Sequence, residues 1–203
     1  GFFYLTMNKL FRIINAMLII IITGLPATGK TTLGQKVADR FGLPFFSKDD
    51  IKEQLFETIG TGDREWSRKL SRASNSLLMI ILQQMVTAGK SCIVESNFPP
   101  EEFRKKFHRL AQIAPFHSMQ IICETERSVL QERLEDRART GNRHPGHLDD
   151  ILLKEFAEKS DVDFHPVKLN DHTIIVNTTQ FDTIDYHNIY LQIENALKSG
   201  NED

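Results

Sequence analysis

Cysteine is scarce in this sequence of 203 residues, and its two copies, Cys92 and Cys123, each stand inside a short apolar run rather than in a spaced framework. A disulfide-stapled scaffold is thereby excluded, and the setting predicts reduced, buried thiols and a cytoplasmic address. An excess of charge of either sign is also missing: 25 Lys and Arg stand against 27 Asp and Glu, a formal net charge of -2. Nucleic acid or an anionic membrane would have to be bound through a local patch, because the chain as a whole offers no attractive field. No apolar run reaches the roughly 20 residues that cross a bilayer. The run over residues 13–22 is interrupted by Asn15 and leads directly into a glycine-containing loop, which is not how a signal peptide with a small-residue cleavage site reads. Internal repeats and low-complexity linkers are absent as well. With 40% hydrophobic and 26% charged residues, the composition is globular. Residues 1–16 read as an upstream extension and residues 17–203 as a single domain.

What is present alternates. Residues 17–23 form a near-continuous β-branched and apolar run, the pattern of a strand covered on both faces. Similar runs recur at 43–47, 91–95, 118–123 and 173–177. Helical spacing occupies residues 30–41, 50–59, about 63–88, 100–114, 127–139, about 149–159 and 183–198. Strands separated by helices predict an α/β fold: a doubly wound, parallel, five-stranded sheet in the middle of three layers. Residues 140–147, with Gly141, Pro145 and Gly146, predict a mobile loop.

The strongest motif follows the first strand. Gly24-Leu25-Pro26-Ala27-Thr28-Gly29-Lys30-Thr31, continued by Thr32, fits the pattern GxxxxGK[ST] in full and stands between a strand and a helix. The two glycines permit a loop whose amide N–H groups turn toward phosphate oxygens, and the helix that follows presents its positive end to them. Lys30 is placed to reach the β- and γ-phosphates of a nucleotide and the Thr31 hydroxyl to ligate Mg²⁺. Guanine specificity loses support, since the Asn8-Lys9 pair precedes this loop and lacks the Asp of Asn-Lys-x-Asp. An oligomeric motor is disfavoured too, since roughly 25 residues beyond the last strand are too few for a helical second domain.

With those motifs in place, residues 17 to about 177 resemble the small P-loop kinases. That group has an AAA-type ATP-binding domain and includes polynucleotide 5'-kinases, gluconate-type sugar kinases, chloramphenicol phosphotransferases and zeta-toxin-like kinases. The resemblance rests on three stations. In Ser47-Lys48-Asp49-Asp50-Ile51-Lys52, it implies that Asp49 accepts the proton of the attacked hydroxyl and that Lys52 contacts an anionic substrate group. A carboxylate beyond the carboxyl end of a strand suits that task, although Asp49 also fits as a helix cap. In Ile93-Val94-Glu95-Ser96-Asn97, Glu95 stands where the family usually has Asp, which implies contact with Mg²⁺ through water; Asn97 is a candidate partner of a substrate hydroxyl, or begins a turn before Pro99-Pro100.

The third station is a helix bearing Arg133 and Arg137, which the i, i+4 spacing places on one face. The resemblance implies that Arg133 stacks on adenine and that Arg137, with Arg143, brings positive charge to the transferring phosphate from a lid at about residues 137–148. The alternative is a solvated face paired with Glu132, Glu135 and Asp136, which is the reading for Arg139. His144 and His147 flank a Pro-Gly turn and read as lid packing or phosphate contacts rather than a zinc site. Arg64, Arg68 and Arg72 recur every fourth residue and form either a stripe that binds an anionic acceptor, with Arg72 as the candidate substrate contact, or a solvent face. The expectation is therefore a kinase that uses ATP and Mg²⁺ to phosphorylate a hydroxyl of a small molecule. A polynucleotide 5'-hydroxyl kinase, or a regulatory ATPase acting through a protein partner, are the alternatives.

Overall fold

The computed structural model describes residues 17–158, 169 and 172–198. The extension expected at residues 1–16, and Lys159 at the end of the helix expected over 149–159, lie outside the described residues. Strand β1 (Leu18–Gly24) is buried along its whole length and forms the centre of a five-stranded sheet. The order is β2–β3–β1–β4–β5, with β2 at Phe45–Ser47, β3 at Cys92–Glu95, β4 at His117–Glu124 and β5 at His172–Asn177. Every pairing is parallel, because each pair of strands is joined by a crossover rather than a hairpin.

Successive side chains of a strand point to opposite faces, so the unbroken apolar run of β1 serves two cores. Leu18, Ile20 and Ile22 pack with Leu33 and Val37 of α1 (Lys30–Phe41) and with Ile189 and Ile193 of α7 (Tyr186–Lys198). Ile19 and Ile21 pack with Leu78, Leu82 and Val86 of α3 (Arg64–Thr87) and with Phe103 and Phe107 of α4 (Pro100–Leu110). At about 1.5–3 kcal/mol for each fully buried aliphatic side chain, β1 anchors both layers. Three further helices, α2 (Lys48–Ile59), α5 (Arg127–Thr140) and α6 (Asp149–Glu158), gather at the carboxyl end of the sheet with the phosphate loop. The expected three-layer α/β fold is the observed one.

Several boundaries differ from the sequence expectation, and four of the differences bear on the architecture. β2 begins at Phe45 rather than 43: Gly42 ends α1 with φ 62°, and Pro44 has no N–H for a ladder, although its carbonyl accepts from the Ile93 N–H at 2.9 Å. Helix α2 starts at Lys48, two residues early, because the Ser47 hydroxyl accepts the Asp49 N–H and caps it. Helix α4 ends at Leu110 instead of 114, and the chain continues through tight turns closed by the Gln112 and Ile113 N–H groups. Residues Phe181–Thr183 form a separate 3-10 turn before α7. Among the described residues, no helix is long and apolar enough to cross a membrane. Cys92 and Cys123 are free and buried, and burial pushes both thiols up to about 12.

Candidate functional site

Strands β1, β2 and β3 end at one cleft of about 470 Å³, which the phosphate loop, the start of α2 and the segment between α5 and α6 enclose. The loop takes its shape from three left-handed or otherwise positive φ values, at Gly24 (153°), Ala27 (65°) and Gly29 (79°). A Cβ at Gly24 would meet the Cys123 carbonyl oxygen and the Thr28 hydroxyl, so glycine is required where the loop leaves the sheet. Thr28 is buried and closes the loop on itself by donating to the Leu25 carbonyl at 2.8 Å. Gly29 is the N-cap of α1 and contributes no side-chain bond, which leaves the helix's positive end facing the cleft. Pro26, Ala27, Gly29, Lys30, Thr31 and Thr32 line the cleft, with Gly24, Leu25 and Thr28 behind them.

Lys30 is buried, its ammonium donates to the Leu25 carbonyl at 2.8 Å, and it stands 4.0 Å from Glu95 Oε1. Burial pushes its pKa down and the Glu95 charge pulls it back up. Glu95, at the end of β3, collects hydroxyl donors: Ser47 Oγ at 2.8 Å and Thr31 Oγ1 at 3.3 Å, both to Oε2. This is an oxygen-only set of the kind Mg²⁺ takes, with two hydroxyls and one carboxylate beside a phosphate loop, so the residues fit that ion. Among the described residues no cluster of three or more His, Cys, Asp or Glu side chains forms a dedicated metal cage. In the His144-Pro-Gly-His147 segment both imidazole rings pack against Phe56.

Asp49 lies on the first turn of α2, lines the cleft and leaves the capping of its helix to Ser47. Its carboxylate pairs with Lys48 at 2.8 Å and with Arg143, whose other nitrogen donates to Asp149 at 3.0 Å. Burial alone would raise its pKa, but Lys48, Arg143 and His147 outweigh burial and hold the carboxyl well below the usual range. Arg137 lines the same cleft, and burial followed by the Arg143 charge lowers its pKa. Arg139 points away, exposed and paired with Asp136 at 2.6 Å, as the solvated-face reading has it.

The remaining expected residues divide. Lys52 is buried and lines the cleft, and its Nζ donates to Ser67 Oγ at 2.9 Å. Asn97 also lines the cleft and is exposed to it. Arg72 does not line it: the side chain is exposed on α3, because the helix turns Arg64 and Ser71 toward the cleft instead. A repeat of four residues drifts around a helix of 3.6 per turn, which is why a stripe anchored at Arg64 has left that face by Arg72. Arg133 is likewise outside the lining. Its guanidinium lies 4.6 Å from the centre of the Phe181 ring and donates to the Thr178, Thr179 and Ala27 carbonyls, bracing the phosphate loop against the segment after β5. In this arrangement Phe181 occupies the face that stacking on adenine would use.

Several contributors had little signal in the sequence. Ser47 and Ser67 are ordinary hydroxyls until the fold brings them to Glu95 and Lys52. Phe181 follows the last strand, and its position at the carboxyl edge of an α/β sheet was the available clue. The lid itself docks through Phe56, with the His144 ring stacked on it at 4.9 Å and the His147 ring edge-on at 5.5 Å. Glu57 and Glu53 hold the outer nitrogens of those rings, and Ser67 donates to the Gly146 carbonyl at 2.9 Å.

The sheet order and the lysine-bearing loop at its carboxyl edge define a small P-loop kinase fold. The chain belongs to the AAA domain family, whose model matches residues 19–159. It is 36% identical to a candidate kinase from Chloroflexus aurantiacus J-10-fl, over 90% of this chain and 100% of that one, with a TM-score of 0.80. A sugar kinase from Janibacter sp. HTCC2649 shares the fold at 18% identity, over 90% of this chain and 98% of that one, with a TM-score of 0.52. Comparison with curated proteins found no match.

Proposed function

We propose that this protein is an ATP- and Mg²⁺-dependent kinase that transfers the γ-phosphoryl group to a hydroxyl of a small-molecule acceptor. The observation that carries the reading is the sharing of one cleft by the phosphate loop and the Asp49 carboxylate, with Ser47 relieving Asp49 of any capping duty. The kinase descriptions of the similar proteins support it. Thr31 and, through water, Glu95 would hold Mg²⁺, which supplies charge neutralisation on the β- and γ-oxygens.

Lys30 holds the nucleotide's terminal phosphates, and the amide groups of the loop and of the α1 end complete the cradle. The acceptor hydroxyl takes a place beside Asp49, displacing part of the Arg143 pairing. Its oxygen bonds to the γ-phosphorus, the bond from that phosphorus to the bridging oxygen breaks, ADP leaves, and the hydroxyl proton passes to Asp49. A carboxylate held at low basicity suffices, since in a loose transition state the hydroxyl becomes acidic only as its new bond forms. Arg137 lies where cationic charge on the transferring group is most useful, and Asn97 is placed to hold another acceptor oxygen.

The test is an acceptor screen with γ-labelled ATP, run on the wild type and on Lys30→Ala. Sugars, sugar acids, nucleosides, antibiotics and 5'-hydroxyl oligonucleotides form the panel. Label is expected on a small-molecule hydroxyl in the wild type, lost with Lys30→Ala and lost on chelating Mg²⁺. A folded Lys30→Ala variant with near-normal ATP turnover would contradict the reading, and label confined to oligonucleotides would replace the acceptor class.

A further inference from the structure

Ser47 makes two bonds that meet at one oxygen atom. It ends β2, and the parallel register sets it opposite Glu95, which ends β3. Both residues are buried. Ser47 Oγ donates to Glu95 Oε2 at 2.8 Å and accepts the Asp49 N–H at 3.2 Å, and since a hydroxyl has one proton to give and lone pairs with which to receive, both bonds form at once. The contacts therefore run from the first turn of α2, through a single oxygen, to the end of β3. Thr31 Oγ1 reaches the same carboxylate oxygen at 3.3 Å, and Lys30 Nζ lies 4.0 Å from the other one.

Capping accounts for only half of this arrangement. A cap needs an acceptor or a permissive backbone ahead of the Asp49 N–H, and Asp, Asn, Thr or Gly could stand at the start of α2 nearly as well as Ser. The donated proton is a separate requirement. Asp would set a second carboxylate against Glu95, and Gly would leave the buried Oε2 with the longer Thr31 bond alone. Glu95 also needs that bond more than a shorter side chain would. It has one more rotatable bond than Asp, and a carboxylate that turns freely does not keep a water or an ion in one place. Ser47 and Thr31 fix one of its oxygens from two different elements, β2 and α1.

Resting on the kinase reading, we propose that Ser47 is a positioning residue for transfer: its hydroxyl ties the carboxylate that serves Mg²⁺ to the helix turn that carries the acceptor's base, and so sets the distance between them. In this role Ser47 touches no reacting atom. It acts through Glu95 on one side and through the start of α2 on the other, where a displacement of about 1 Å lowers rates by as much as about 10²-fold. Because hydrogen bonds that share an atom polarise one another, a change at Glu95 is felt at the Asp49 amide.

Ser47→Ala, Ser47→Gly and Ser47→Thr separate the two bonds. Thermal melts with ADP over a range of Mg²⁺ concentrations give the Mg²⁺ needed for half of the stabilisation, each variant being compared with its own melting temperature without nucleotide. Ala removes cap and proton together, whereas Gly removes the proton but caps nearly as well as Ser, so it keeps the fold. Both should raise the Mg²⁺ requirement by about 10-fold, the scale of one hydrogen bond to a charged group, with the response to ADP in a chelator unchanged. Ser47→Thr keeps the hydroxyl and should match the wild type, as should Thr58→Ala, which removes an exposed hydroxyl from the far end of α2. In the wild type, Mg²⁺ added to the ADP complex should move the amide resonance of Asp49 in an isotope-labelled sample, and Ser47→Gly should lose most of that movement. A Mg²⁺ requirement in Ser47→Gly equal to that of the wild type overturns the inference and leaves Ser47 a helix cap, as does an Asp49 amide that responds equally in the two proteins. The kinase reading fails on a different result: a wild type unmoved by Mg²⁺ and ADP, or a response that Lys30→Ala retains in full.

Discussion

At the scale of single residues, burial and pairing separate functional cations from ornamental ones better than spacing does. Arg137 and Arg139 stand two apart on α5, yet the first lines the cleft and the second pairs with Asp136 in solvent. Arg137→Ala is therefore expected to lower kcat more than it weakens ATP binding, because its charge matters most when phosphoryl oxygens are most exposed. Arg139→Ala should change either quantity by less than about twofold, as expected for a surface pair. Steady-state kinetics with ATP binding measured separately decide the matter, and wild-type kinetics in Arg137→Ala would return that residue to the solvated face. The phosphate loop was fully legible because its residue types are fixed by backbone geometry. Arg72 and Arg133 lie outside the cleft lining for the opposite reason: helical phase and a distant Phe181 decide where they sit, and neither is visible in local spacing.

At the scale of elements, the segment from Gly141 to Leu148, within the lid expected at about residues 137–148, packs on α2. Its 3-10 turn Pro145–His147 puts Gly146 against the Phe56 ring, where a Cβ would come within 2.7 Å, and puts His144 and His147 on two sides of that ring. Burial, and then the Arg143 charge, push His147 down to about 3, with Lys52 and Lys48 acting in the same sense and Asp49 against them. The folded pKa lies below the 6.5 of a free imidazole, so folding favours the neutral ring. This contribution is complete above pH 6.5 and is lost as the pH falls toward 3. Melting temperature should therefore decline between pH 6.5 and about 5, before most carboxylates titrate, and His147→Gln should flatten the decline. An identical slope in the variant would remove His147 from the lid's stability. The sequence marked this segment as a loop through its Gly and Pro residues, but the docking partner lies on another helix and left no local trace.

At the scale of the molecule, one strand organises the rest. The unbroken apolar run of β1 and the recurrence of short apolar runs were enough to reveal a parallel sheet with helices on both faces, since only a strand buried twice needs an unbroken run. Sheet order was not readable, because it depends on which faces fit together and not on any one segment. The order that formed places β3 between β1 and β2, and so brings Glu95, Lys30 and Ser47 within bonding range although they are far apart in the chain. It also sets Asp49 beside the phosphate loop, the placement on which the proposed transfer rests.

Asp49→Asn tests that feature most directly, with transfer to the acceptor and ATP hydrolysis without acceptor measured on one preparation. Asn keeps the shape and a side-chain oxygen but takes no proton near neutral pH, and Ser47 continues to cap α2. Transfer is expected to fall by about 10²-fold or more, the usual scale of positioned proton transfer, with a smaller loss in hydrolysis and a melting temperature close to the wild type. Undiminished transfer in a folded Asp49→Asn protein would contradict the central claim that this carboxylate receives the acceptor's proton.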